Sequence, residues 1–473
     1  MRVFLFVCLC TLFLVSSNSK LLTFVSFSDL HFDPFFGVEG NTCPGAKDLN
    51  TPVYGCDSPL FLLSGMFQFI SENIKAVEFS LFTGDLQRHN ILATNLTQVF
   101  VDIMGNVSST LEKSFSTSNY PLHVYSPIWA IGNNDLYPRY PPPPSPGGEI
   151  SWLSPVPQHW KSISNLNATE LEQFKKTGCY SVEMENFPDL VIIVLHTNYW
   201  SSQNRNTARE EDPLDIFNWL SNKLSLVKSQ KKFAWLIGHI SPGSATFDGK
   251  PLWHDQFVRK WEKVVTPFVV DETIRNSFFG HQHQIQLFPL ATKFYFQGNL
   301  GAVSPIYYNN PTFRVNSFDS QTLRVVDWSD YFLDISAPNP TWKLLYNNSF
   351  LSQYQISNLS QSNLQSVVER ISRDSKYFQT YLLNSFSNSS IPSRTCTVDS
   401  SCKARQVCSL QFLAYSDFQD CFQQMTSTIY STNWVQLAGT IAVIGALFIG
   451  GIIMYVHYRK RKPPVVYHIQ DSI

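Results

Sequence analysis

The sequence carries no internal repeat, no low-complexity tract beyond the prolines between Pro141 and Pro146, and no excess of either charge. The first absence removes the stacked-repeat architectures. Lys and Arg number 35 against 36 Asp and Glu, a formal net charge of −1. A nucleic-acid-binding surface, which shows as a basic excess, is therefore not indicated. The four cysteines between Cys396 and Cys421 lack the paired C-x2-C spacing of a structural zinc site. With 14% aromatic residues the remainder reads as an ordinary globular protein.

The ends of the chain differ from its middle. Met1 and Arg2 lead into VFLFVCLCTLFLV and a small polar run, the layout of a signal peptide, assigned to 1–19. Val435 to Tyr455 is an uncharged apolar run of 21 residues followed by Arg459, Lys460, Arg461 and Lys462. A single transmembrane helix over 434–456 is expected, with the basic tail at 457–473 cytoplasmic and everything before it lumenal or extracellular. Asn95, Asn106, Asn167, Asn347, Asn358 and Asn388 each open an Asn-x-Ser/Thr triplet. Cys43 with Cys56 is a candidate staple for a loop of Gly and Pro, and the last four cysteines suggest two local bridges, which leaves Cys179 over. All of this fits an oxidising, glycosylating compartment, either a lysosome-like organelle or the cell surface.

Along the middle, strand-like runs end again and again in side chains able to hold a metal. Leu21 to Ser28 runs into Asp29 and His31; Glu78 to Thr83 runs into Gly84 and Asp85. The apolar run before Gly132 empties into Asn133, Asn134 and Asp135. Lys232 to Ile237 ends in Gly238 and His239, and Arg275 to Phe279 in Gly280, His281, Gln282 and His283. Helical stretches at Leu60 to Val77, Leu214 to Val227 and Phe257 to Val270 intervene. In an α/β fold the loops beyond the carboxyl ends of the strands meet in one crevice, so these residues are expected to converge. Each has a plainer explanation alone: Asp29 and His31 as turn caps, Asn133 as turn chemistry after glycine, His239 as a core histidine. His281 and His283 in alternation would share one face of a strand. Two carboxylates, a carboxamide and four imidazoles form an oxygen and nitrogen donor set for Zn, Mn or Fe. Two such ions about 3.5–4 Å apart generate a nucleophile and stabilise an in-line displacement at phosphorus.

The ordered motifs DLH, GDxxRH, GNND, GH and GHxH resemble those of the calcineurin-like metallophosphoesterases, over roughly Leu21 to Val326. DLHFDP and GDLQRHN are similar to the acid sphingomyelinase-like phosphodiesterases and to the endopolyphosphatases. The resemblance implies an α/β, four-layer sandwich of two central mixed sheets flanked by helices. It also implies that Asp29, His31, Asp85 and His283 hold one divalent ion, and that Asp85, Asn133, His239 and His281 hold the other. Much of the superfamily reads GNH where this chain has Asn134, and a carboxamide donates a hydrogen bond without serving as a general acid. His89, four residues after the bridging Asp85, is the candidate acid, and Arg88 the candidate phosphate clamp. Arg88 also stands where purple acid phosphatases place an iron-binding Tyr, so a non-redox pair, zinc, is expected.

These readings divide the chain into a catalytic domain at 20–330, a disulfide-containing helical subdomain and stalk at 331–433, the membrane helix and the tail. The expected activity is hydrolysis of soluble phosphodiesters or nucleotide derivatives. GNND with the Arg-His pair keeps an endopolyphosphatase as the alternative, and a membrane-anchored binding protein with a degenerate site is the alternative of another class. The terminal pair Cys408 and Cys421 resembles the closing disulfide of the sphingomyelinase-like branch. No protein partner is inferred.

Overall fold

Among the described residues ten strands fall into two sheets, which meet through aromatic side chains. The structure, a computed structural model, describes residues 19–427 apart from 39–42, 44, 45, 47, 49, 92–94, 117–119, 287–297, 392–395 and 397–399, together with Met454. The expected signal peptide and membrane helix thus lie, but for Ser19 and Met454, outside the described residues, as does the tail. Among the described residues no helix is long and apolar enough to cross a membrane. Residues Met1–Phe418 form one compact unit and Gln419–Ile473 a second, whose described part at 419–427 is helical.

The first sheet contains β1 (Leu21–Phe27), β2 (Val77–Phe82), β3 (Ile128–Trp129), β8 (Thr312–Asp319), β9 (Val325–Leu333) and β10 (Trp342–Leu344), in the order β10-β9-β8-β1-β2-β3. β1, β2 and β3 run parallel, while β8, β9 and β10 return antiparallel. The second sheet contains β4 (Tyr180–Met184), β5 (Phe187–Val194), β6 (Phe233–Ile237) and β7 (Ile274–Phe278), ordered β4-β5-β6-β7, with β5, β6 and β7 parallel. The mixed α/β architecture matches the expected class. The division expected at 330/331 falls inside β9, so the first sheet continues past it.

What joins the sheets is aromatic. Phe24 stacks on Phe79 at 4.9 Å within the first sheet, and reaches Trp235 at 5.0 Å and Phe278 at 5.7 Å in the second. Each such ring, fully buried, contributes about 1.5–3 kcal/mol relative to exposure. The turn between β8 and β9 is tied to the second sheet as well: Leu323 O accepts from Trp235 Nε1 at 2.8 Å and from Asn276 Nδ2 at 3.1 Å. The helix Leu60–Asn73 buries Leu62, Leu63, Met66, Phe67 and Ile70, a stripe at helical spacing. Helix Leu96–Phe115 starts where Asn95 accepts from Gln98 N.

Beyond the sheets, the helical spacing over 360–385 is interrupted. Helices Gln361–Arg373 and Ser375–Ser385 are separated at Asp374, whose carboxylate accepts from Lys376 N and Tyr377 N and caps the second. Leu364, Val367, Val368 and Ile371 are buried, as their spacing predicts. Disulfides join Cys43 to Cys56 and Cys396 to Cys402, Cys408 and Cys421 are also disulfide-bonded, and Cys179 is free and buried. Bridged cysteines of this kind fit folding in an oxidising, secretory compartment.

Candidate metal centre

All six parallel strands end on one edge, and the loops that follow them converge. Asp29 and His31 follow β1, Asp85 follows β2, Asn133 follows β3, His239 follows β6, and His281 and His283 follow β7. The turns are tight enough that Asp29, His31, Asp85, His281 and His283 all take left-handed backbone, with φ of 52°, 42°, 60°, 70° and 54°. Asp and His tolerate this region better than most residues, at roughly 1–2 kcal/mol each. Because β7 stops at Phe278, His281 and His283 lie in the loop and not on a strand. The shared-face argument for them is therefore corrected: Gly280 ends the extended run, and the two rings go to different neighbours.

The side chains sort into two groups. His31 Nε2 lies 3.1 Å from His283 Nε2, and Asp29 Oδ1 lies 3.4 Å from His283 Nε2. His239 Nε2 lies 3.1 Å from Asn133 Oδ1 and clusters with His281. Asp85 stands between them, its Oδ2 3.5 Å from His31 Nε2 and 3.3 Å from His239 Nε2. All seven expected ligands are thus brought together. Outer contacts fix the rings: His31 Nδ1 lies 3.1 Å from Gln87 O, and His239 Nδ1 lies 2.8 Å from Thr83 O.

Electrostatically the cluster demands positive charge. Burial opposes the charged form of His31, but hydrogen bonding to Asp29 and the charge of Asp85 outweigh it and raise its pKa to about 9. His239 is likewise buried and likewise raised to about 9, chiefly by Asp85. Asp29 and Asp85 sit below the usual carboxylate range in spite of burial, held there by His283 and His239 respectively. Asp29 Oδ1 is buried and faces only the ring nitrogens of His283, at 3.4 Å, and His31, at 3.7 Å. Two facing imidazole nitrogens, a buried carboxylate oxygen between them and a shared carboxylate are a donor set that fits divalent cations.

The remaining expected site residues separate. His89 stacks on His31 at 4.0 Å, beside the cluster. Burial and the His31 charge lower its pKa to about 4, against the pull of Asp57. Asn134 donates from its backbone N to Asp85 Oδ1 and from Nδ2 to Asp85 Oδ2, both at 2.7 Å. Arg88 is engaged elsewhere: Nη1 donates to Asp33 Oδ1 and Nε to His89 O, each at 2.9 Å, in a buried ion pair. His196, at the end of β5, stays outside the cluster with Nδ1 2.9 Å from Thr177 O.

Two carboxylates escaped the sequence reading. Asp57 accepts from His89 N and lies 2.9 Å from His89 Nδ1. A lone acid after Cys56 gives no signal of that partner. Asp135, the last residue of GNND, accepts from the backbone N of Gly132, Asp85 and Leu86 at 2.7, 3.0 and 2.6 Å. It binds the GD and GN turns together. Burial, then the charge of Asp85, raises its pKa to about 7. The cluster opens on a cleft of about 860 Å³ with His281, His283 and Tyr307 on one side and Phe386, Arg405 and Gln406 of the C-terminal segment on the other.

Parallel strands whose carboxyl-end loops gather Asp, Asn and His around one shared Asp match the arrangement expected from the resemblance to calcineurin-like metallophosphoesterases. The description "Acid sphingomyelin phosphodiesterase C-terminal region" matches residues 296–428. Human cyclic GMP-AMP phosphodiesterase SMPDL3A is 27% identical over 84% of this chain and 89% of its own. The Dictyostelium discoideum sphingomyelinase phosphodiesterase D is 28% identical over 73% and 78%, and the mouse acid sphingomyelinase-like phosphodiesterase 3b is 26% identical over 86% and 91%. A dimetal phosphatase from Danio rerio is a looser structural likeness, with a TM-score of 0.39, 11% identity and coverage of 65% of this chain and 95% of its own. In sequence the chain is thus similar, over most of its length, to acid sphingomyelinase-like phosphodiesterases.

Proposed function

We propose that this protein is a metal-dependent hydrolase of soluble phosphodiesters, among them nucleotide derivatives. The observation that carries the reading is the pair of His and Asp clusters sharing Asp85. Asp29, His31, Asp85 and His283 would hold one divalent ion and Asp85, Asn133, His239 and His281 the other, with zinc favoured by the imidazole-rich set. Bound there, such ions supply charge at phosphorus and a water acidified to mild pH.

The chain's own residues do the rest. Asp57 fixes the Nδ1 side of His89 and favours its charged form against burial and the His31 charge, and in that protonated fraction Nε2 carries the proton to the leaving oxygen. Asn134 orients Asp85 through two hydrogen bonds. Asp135 holds the two turns that bear Asp85 and Asn133 in register. The expected clamp Arg88 has its hydrogen bonds on Asp33 and His89, which weakens the Arg-His case for an endopolyphosphatase.

The same reading makes the protein a glycoprotein with a signal peptide, held by one C-terminal membrane helix with the hydrolase lumenal or extracellular. Support comes from the bridged cysteines and from all six Asn-x-Ser/Thr asparagines being exposed. The test is hydrolysis of bis-p-nitrophenyl phosphate by the full-length protein and by Asp85→Asn at mildly acidic pH. Turnover by wild type alone, with equal melting of both proteins, is expected. Equal turnover by the variant removes the site assignment. Polyphosphate shortening on a gel, with no diester cleavage, would favour the polyphosphatase reading.

A further inference from the structure

We propose that Arg139 binds a phosphate oxygen of the substrate at the mouth of the metal centre, an inference that rests on the hydrolase reading above. Its place in the chain is unusual for a cation. It comes four residues after Asp135 and directly before Tyr140 and the proline run at Pro141, a segment with little freedom to move. The backbone there is tied from a second loop. Asn206 Nδ2 donates to Tyr140 O at 3.0 Å, and the buried Asn204 donates from Nδ2 to Pro141 O at 3.3 Å.

The guanidinium is fixed from the opposite side. Its Nη2 donates to Asn90 Oδ1 at 2.6 Å, and Asn90 is the residue next to His89. Two tyrosines lie within its electrostatic reach, the adjoining Tyr140 and Tyr307 of the cleft. Tyr307 meets His283 edge-on at 4.7 Å and His89 at 5.8 Å. Burial and then the charge of Asp85 push the hydroxyl of Tyr140 up, partial burial and then the charge of Asp85 do the same to the half-exposed Tyr307, and Arg139 pulls both the other way. The cation and the bridging carboxylate therefore act on the same two hydroxyls. A guanidinium has five N–H donors, and the Asn90 bond uses one of them. Half-buried, held by Asn90 and presented from a clamped backbone, Arg139 is preorganised to donate to phosphate oxygens. Arg88, spent on Asp33, is not.

The shared chemistry is a phosphate oxygen, from either the scissile phosphate or a second one beside it. Steady-state kinetics of the full-length wild type, Arg139→Gln and Arg139→Lys separate these. The substrates are bis-p-nitrophenyl phosphate, with one phosphate, and a dinucleoside pyrophosphate, with two. Arg139→Gln should raise KM about 10- to 100-fold with little change in kcat, and Arg139→Lys should recover part of the loss. A rise on both substrates assigns the scissile phosphate; a rise on the pyrophosphate alone assigns the second. Wild-type turnover with KM unmoved in Arg139→Gln overturns the inference and leaves the hydrolase reading standing. Identical losses in both variants, accompanied by a lower Tm, would reassign Arg139 to structure. Absence of wild-type turnover on either substrate would remove both readings.

Discussion

Gly132→Ala is a one-methyl test of the centre. The backbone at Gly132, with φ −86° and ψ 169°, suits any residue, so what glycine supplies there is room. A Cβ at 132 would overlap the backbone N and Oδ1 of Asp85 and come within 2.8 Å of Asp85 Cα, where ordinary contact begins at 3.4 Å. Asp85 must retreat by more than half an ångström, and it cannot retreat alone. Asp135 holds its backbone N at 3.0 Å, and Asn134 holds both carboxylate oxygens at 2.7 Å. Overpacking of this kind costs about 1–3 kcal/mol. A displacement near 1 Å at reacting groups costs on the order of 100-fold in rate. The expectation is a folded protein with kcat/KM down about 100-fold and fewer than two ions per chain by elemental analysis. Gly65→Ala is the control, since nothing lies within 4 Å of a Cβ there and the residue sits inside helix Leu60–Asn73. That change should leave activity alone and stabilise by about 0.5–1 kcal/mol. Wild-type kcat/KM and full metal content in Gly132→Ala would refute the close-approach argument.

Two further variants address the neighbours of the centre. Asp57→Asn should lower kcat about 10- to 100-fold for a poor alkoxide leaving group and far less for p-nitrophenolate, because it loosens the group that positions His89. Equal losses on both would count against a proton-donating His89. Arg88→Ala leaves Asp33 buried without its cation, so unfolding in urea should show a loss of about 3–5 kcal/mol with KM unchanged. A raised KM at unchanged stability would restore Arg88 to the phosphate.

The strand ends were legible because each ligand type recurs where an apolar run stops, and a strand cannot hide a carboxylate or imidazole in its interior without a partner. Partners drawn from other loops were not. Arg88 meets Asp33 across 55 positions, and His89 meets Asp57 across 32. Neither separation leaves a periodic trace. Asp135 drew no notice beyond the turn chemistry of its GNND run because the donors it accepts from are backbone N–H groups, which every residue but proline offers. The alternation of His281 and His283 suggested a strand face, whereas Gly280 had already ended β7. Asp374 broke a continuous apolar spacing by capping a second helix, an effect of one side chain that a periodicity count passes over. The antiparallel return of β8 and β9 ends at Asp319 and just before Asp334, whose carboxylates accept from the backbone of their own turns and belong to no metal-binding motif, so a search led by metal chemistry did not single it out.

The centre is built from both halves of the chain, and His31 faces His283 across 252 positions. At about 5–20 residues per second, synthesis separates these two histidines by on the order of 10–50 s. Through that interval Asp29, His31 and Asp85 exist as half a site, with two carboxylates and one imidazole but no second sheet to complete the set. A half-site of this kind binds an ion too weakly to keep it. Completion of the donor set therefore belongs to the end of folding, after the segment that bears His281 and His283 has emerged.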